Sequence, residues 1–147
     1  MNYDQLLLKN QLCFPLYASS KIITGKYTHY LDEIGLTYTQ YITLMILLEH
    51  KTLSLKELGK YIFLDSGTLT PLLKRLENKG LIHRVRSKDD ERKIMISLTK
   101  KGVELKEKAK DIPKKISCYL NLNENESATL YQLLYKIIDS ERSGAKD

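Results

Sequence analysis

The stretch "LDSGTLTPLLKRLENKGLIHRVRSKDDERKIMISLTKKG", residues 64–102, decides the fold, because its hydrophobic period changes partway along. Leu69, Leu72, Leu73 and Leu76 recur at steps of three and four, which predicts a helix with one apolar face. Gly80 ends that helix, and Pro71 falls near its predicted first turn. Beyond Ile82 the pattern alternates. "HRVRS" leads into the polar turn "KDDER", after which Ile94, Ile96 and Leu98 interleave with Lys93, Met95 and Ser97. A period of two on both sides of a charged turn predicts a β-hairpin.

Upstream, "TYTQ" at 37–40 and "SLKE" at 54–57 each place a hydroxyl residue three positions before Gln or Glu, the pattern of a capping box. Tyr41, Leu44, Met45 and Leu48 then mark one helix, and Leu55, Leu58 and Ile62 a short second one. The turn "FLDSG" separates this pair from the helix of Leu69. Two helices, a turn, a third helix and a basic hairpin make a winged helix-turn-helix over 37–98. Its third helix leaves Ser66, Thr68, Thr70, Lys74, Arg75 and Asn78 on the outer face. Hydroxyls and amides can bond base edges or phosphates, and cations neutralise phosphate. The hairpin tip offers Arg84, Arg86, Lys88, Arg92 and Lys93 to the backbone or the minor groove. A polar face on one helix is usually only a solvated face; a basic wing directly after it points to double-stranded DNA.

The flanks are helical. Leu12, Leu16, Ile23, Tyr27, Tyr30 and Leu31 define one face of a long first helix over 4–33, with Pro15 expected either to bend it or to delay its start. Thr99 can cap a fifth helix with the face Leu105, Ala109, Ile112, Ile116 and Leu120, interrupted by Pro113. Asn123 with Glu126 opens a sixth, whose stripe is Leu130, Leu133, Leu134, Ile137 and Ile138. The tail "SGAKD" is expected to fray. The chain is thus mainly α with a small β-hairpin wing. Apolar stripes on both terminal segments, 1–36 and 99–147, call for a cover, which either the chain's own core or a second copy of the chain would supply.

The bulk composition agrees. The 147 residues suffice for one domain, and 24 basic against 18 acidic residues leave a net charge of +6, suited to a polyanion. No basic-then-apolar leader opens the sequence, and "YITLMILL" at 41–48 is too short to span a bilayer. A cytoplasmic protein without a membrane partner is expected, its two cysteines reduced. His29, His50 and His83 are scattered, so neither a metal site nor a cofactor is expected. There is no Walker loop, GxGxxG or Ser/His/Asp signature, and enzymatic activity is not expected.

Residues 64–102, with "NQLCFPLYASS" at 10–20 and "TYTQY" at 37–41, resemble the MarR family of transcriptional regulators, in its organic-peroxide-sensing OhrR-type branch. The resemblance spans nearly the whole chain. It implies a homodimer held by the first, fifth and sixth helices, with two winged units reading a pseudopalindromic operator. It also implies that Arg92 enters the minor groove with Asp90 orienting it. By the same resemblance Cys13 is a sensing thiol ringed by Tyr17, Tyr27 and Tyr38, the latter two donated by the partner subunit. Phenolic hydroxyls that hydrogen-bond a thiolate favour it over the thiol. A thiolate attacks a peroxide to give a sulfenic acid. Apolar Leu12, Phe14 and Leu16 beside Cys13 favour an organic hydroperoxide. Cys118, 105 residues further on, matches a second cysteine that in some relatives captures the sulfenic acid across the dimer. Two other functions fit the residues: a regulator controlled by a small apolar or phenolic ligand, and a thiol peroxidase.

Overall fold

A computed structural model describes residues 3–144. Two 3-10 turns, Asp4–Leu6 and Leu8–Asn10, precede α1 (Cys13–Asp32) and α2 (Tyr38–His50). Then come β1 (Thr52–Ser54), α3 (Leu55–Ile62), α4 (Ser66–Asn78), β2 (Ile82–Arg86) and β3 (Ile94–Leu98). α5 (Lys100–Ala109), α6 (Ile112–Ser117) and α7 (Glu124–Gly144) complete the chain. Two compact units divide after Ile116. Of the tail expected to fray, Ser143 and Gly144 belong to α7, and residues 145–147 lie outside the described residues.

Both capping boxes form. Gln40 N–H donates to Thr37 Oγ1 at 3.3 Å while Thr37 N–H donates to Gln40 Oε1 at 3.2 Å. Ser54 N–H donates to Glu57 Oε2 at 2.8 Å, and Glu57 N–H to Ser54 Oγ at 3.3 Å. The Ser54 hydroxyl and backbone bonds hold the Glu57 carboxyl below its ordinary pKa. Thr99 caps α5 through Gly102 N–H at 3.0 Å. Asn123 and Glu126 exchange the reciprocal pair that starts α7. At the other end of α4, Gly80 takes φ +70°, and Leu81 N–H reaches back to Leu76 O at 3.0 Å. That closure satisfies carbonyls the helix leaves open and needs a residue without a Cβ penalty.

Pro15 meets one of its two expected outcomes, a late helix start, while Pro71 departs from expectation. Pro15 is the third residue of α1, where its missing N–H would have had no helical partner, so the helix starts late. The segment 4–12 is therefore not part of a long helix. Pro71 lies a full turn inside α4, which begins at Ser66. Pro113 is the second residue of α6, and the interruption expected there falls just before it, at 110–111.

The wing is also more than a hairpin. β3 pairs antiparallel with β2, Arg84 opposite Ile96, and on its other edge with β1, Leu53 opposite Ile96. The strand order is β1-β3-β2. This sheet fixes the wing to the start of α3. The core beneath gathers Leu44, Leu47, Leu58, Leu69, Leu73, Leu76, Ile82 and Ile96, all buried. α5 approaches the end of α4 so closely that a Cβ on Gly102 would collide with the Leu81 carbonyl, which makes glycine a steric requirement there.

Candidate functional site

α4 carries the outer polar face that the sequence predicts. Its leucines at 69, 72, 73 and 76 point into the core, and Ser66, Thr68, Thr70, Lys74, Arg75 and Asn78 are all exposed. Asp65 caps the helix: Thr68 N–H donates to Oδ1 at 2.9 Å and the Thr68 hydroxyl to Oδ2 at 3.0 Å. Those two bonds hold the Asp65 carboxyl below its ordinary pKa. Thr68 thus uses its proton inside the cap and presents only an acceptor outward.

The wing residues separate into two groups. Arg86, Lys88 and Arg92 are exposed near the turn. Arg86 Nη1 donates to Glu91 O at 3.2 Å, bracing the turn from inside. Arg92 is oriented through its backbone: its N–H donates to Asp90 Oδ1 at 3.1 Å, and the same carboxylate lies 4.0 Å from Lys93 Nζ. Asp90 therefore meets Arg92 through its backbone, where it shapes the turn that carries the arginine. Arg84 departs from expectation. It sits mid-strand on β2, half-buried, with Nε 3.2 Å from Glu77 Oε2 of α4, and Nε itself finds no well-aligned acceptor. It joins the wing to α4 instead of standing at the tip. Periodicity could not reveal this, because the pairing depends on how β2 lies across α4.

Cys13 is the first residue of α1 and exposed, Cys118 is also exposed, and neither thiol is in a disulfide. Tyr17 is 60% exposed, with Lys21 Nζ 5.5 Å from its ring centre. Tyr27 and Tyr38 stand together, centroids 4.9 Å apart. A third ring, not expected from the sequence, joins them. Tyr41, only 7% exposed, lies 5.7 Å from Tyr27 and 6.4 Å from Tyr38. Its position three after Tyr38 on one helix face was the available signal. Burial, then the Tyr38 and Tyr41 phenols, push Tyr27 up to about 12. Burial raises Tyr38, and burial followed by Tyr38 raises Tyr41. These phenols keep their protons and act as neutral donors. The structure groups Tyr27 with Tyr38 and leaves Tyr17 apart from them.

No group of His, Cys, Asp and Glu that could hold a metal occurs among the described residues, and no described helix is long and apolar enough to cross a membrane.

A helix-turn-helix braced by a three-stranded wing, with cations on both α4 and the wing, defines the winged-helix class of regulators. Residues 26–109 match the family described as transcriptional regulator SarA/Rot. The organic hydroperoxide resistance transcriptional regulator of Bacillus subtilis is 50% identical over 141 residues, covering 94% of each chain. The structure of reduced AbfR bound to DNA aligns with TM-score 0.76 and 34% identity, covering 95% of this chain and 98% of that one. Disulfide-formed AbfR aligns with TM-score 0.61 and 32% identity, covering 98% and 96%. AbfR is from Staphylococcus epidermidis. A MarR variant from E. coli complexed with operator DNA shares the fold, at TM-score 0.81 and 24% identity over 93% of this chain and 99% of that one. The chain belongs to the MarR family of transcriptional regulators, in the organic-hydroperoxide branch.

Proposed function

We propose that this protein is a homodimeric transcriptional repressor that binds a pseudopalindromic operator through α4 and the wing and leaves it when Cys13 is oxidised by an organic hydroperoxide. The observation that carries this reading is an exposed free thiol opening α1 in a chain whose relatives include a regulator of organic hydroperoxide resistance. Residues 37–98 are the DNA-binding unit, and 1–36 with 99–147 the dimerisation segments. Exposed Leu12 and Phe14 near Cys13, and Leu133 and Ile137 on α7, are the apolar surface a second copy would cover. The protein works in the cytoplasm, is not an enzyme, and needs neither metal nor cofactor.

The chemistry balances with the hydroperoxide as oxidant. The Cys13 thiolate attacks one peroxide oxygen, the O–O bond breaks, and the departing alkoxide takes a proton to become the alcohol. Cys13 is left as a sulfenic acid. The Cys118 thiolate of the partner subunit then attacks that sulfur, an S–S bond forms, and hydroxide leaves to be protonated to water. Tyr17 in one subunit, with Tyr27 and Tyr38 from the other, supplies the hydroxyl donors that hold the thiolate.

A DNA shift assay with intact-mass analysis tests the proposal. Cys13→Ser is expected to bind DNA and keep it at an organic hydroperoxide dose that releases wild type. A peroxide-induced dimer band on a non-reducing gel should vanish in Cys13→Ser and in Cys118→Ser, and dithiothreitol should reverse it. Release of Cys13→Ser at the same dose would remove the sensor assignment. Release of wild type with a small-thiol adduct on Cys13 and no dimer band would remove only the bridge.

A further inference from the structure

The end of α4 is tied to the start of α2 by one side chain. Lys79, the residue after α4, sends its Nζ to Gly35 O at 2.5 Å and to Gln40 Oε1 at 3.1 Å. Gly35 lies in the turn that leaves α1. Gln40 is 3% exposed and is already the reciprocal member of the α2 capping box. It therefore accepts from two directions, from Thr37 N–H and from Lys79. Its sequence neighbourhood holds Tyr38 and Tyr41, both packed on Tyr27 of α1. An open cleft beside this joint is lined by Asp32 and by Arg75 and Asn78, two of the outward residues of α4.

This arrangement makes the α2 N-terminus a shared support. The tyrosines on it and the amide that caps it belong to the same turn of helix. A movement of Tyr38 large enough to disturb that turn displaces Gln40 Oε1, and Lys79 must follow it or lose the bond. Lys79 is held from the other side as well, since its own carbonyl accepts from Lys101 Nζ at 2.8 Å. A charged donor to a buried amide is among the stronger hydrogen bonds and is sensitive to displacements of a few tenths of an ångström.

We propose that the Gln40–Lys79 hydrogen bond is the coupling contact through which a change at the tyrosine pair reaches the DNA-reading helix, with both residues acting as positioning residues. This inference rests on the sensing function proposed above. Coupling of this kind requires two arrangements of the contact, one for DNA-bound and one for released protein, and its size is the ratio of the two DNA affinities.

The test measures that ratio. Reduced and organic-hydroperoxide-treated full-length protein are titrated against a duplex selected from random sequence by the wild type, with intact mass reporting the oxidation of Cys13 in each sample. Wild type is expected to lose about 5- to 150-fold in affinity on oxidation. Lys79→Met, which keeps the alkyl stem and loses the donors, and Gln40→Leu, which loses the acceptor, are expected to shrink the loss to about threefold or less. Gln40→Glu keeps an acceptor for both donors and should retain the wild-type ratio, which a purely structural role for the side chain would not predict. Lys79→Met decides the matter if Gln40→Leu fails to fold. A wild-type ratio in Lys79→Met at equal oxidation of Cys13 would overturn the coupling and leave the sensor standing. Wild type that keeps its DNA after complete oxidation would overturn the sensing function and the coupling together.

Discussion

α4 and α7 are both leucine-rich helices, and they use their leucines in opposite ways. The four inward leucines of α4 are buried, and its polar residues all face out. α7 has no buried residue, and Leu130, Leu133 and Ile137 are 40%, 57% and 53% exposed. The winged core is thus complete within one chain, whereas on the α7 stripe Leu130, Leu133 and Ile137 are exposed and Leu134 and Ile138 only half-buried. A contiguous exposed apolar face on a helix of this length marks an interaction surface. On the function proposed above, the two helices serve two kinds of stability, one belonging to the chain and the other to its assembly.

The largest effect that could break this contrast is expected in the core. Leu73→Ala removes a fully buried side chain beneath the DNA-reading face and should cost about 2–5 kcal/mol, read from the urea midpoint. On α7, Leu133→Asp with Ile137→Asp should leave each chain folded but raise the dimer dissociation constant by about tenfold or more, in sedimentation equilibrium. A double variant that still sediments as wild type would move the self-association surface off α7.

How much of this contrast was legible beforehand depends on the distance over which each signal acts. Capping boxes at Thr37, Ser54 and Asn123 are four-residue patterns, and each forms as written. The four leucines of α4 needed only period. β1 escaped because three residues carry no usable alternation; it exists through pairing with β3, some 40 residues away in sequence. Pro15 shows a different limit. The residue forbids a bond at its own nitrogen, but whether that matters depends on where the helix begins, which the apolar pattern of 12–31 did not reveal. Arg84 and Tyr41 needed the third dimension: one is claimed by Glu77 of α4, and the other completes an aromatic group begun by Tyr27 of another helix.

The wing repeats the contrast on a smaller scale, with two arginines in different states. The Arg92 guanidinium makes no hydrogen bond or ion pair among the described residues, and Arg84 is paired with Glu77. Arg92→Ala should weaken operator binding by about 1–3 kcal/mol without moving the urea midpoint. Glu77→Gln should change binding less, because it releases Arg84 without removing a cation. Equal losses from both substitutions would mean that wing placement, and not the Arg92 contact, limits affinity.

The smallest expected effect separates buried from exposed tyrosines. Tyr27 is pushed up to about 12 chiefly by burial, whereas Tyr131 on α7 is raised chiefly by the hydrogen bond its phenol makes to its neighbour Tyr135. A phenol whose folded pKa lies above its ordinary value of 10 holds its proton after the unfolded chain has lost it. Its contribution to stability is therefore complete below pH 10 and declines as the pH rises toward 12. Tyr27→Phe cannot ionise and should flatten that decline, measured as the urea midpoint under reducing conditions from pH 9 to pH 12. Some slope should remain, because burial raises Tyr38 and Tyr41 as well. Tyr135→Phe should lower the Tyr131 pKa, read by ultraviolet titration, and leave the Tyr27 contribution unchanged. Identical slopes for wild type and Tyr27→Phe would show that the ring group is wet enough to ionise freely, and the phenols would then lose their standing as protonated donors at high pH.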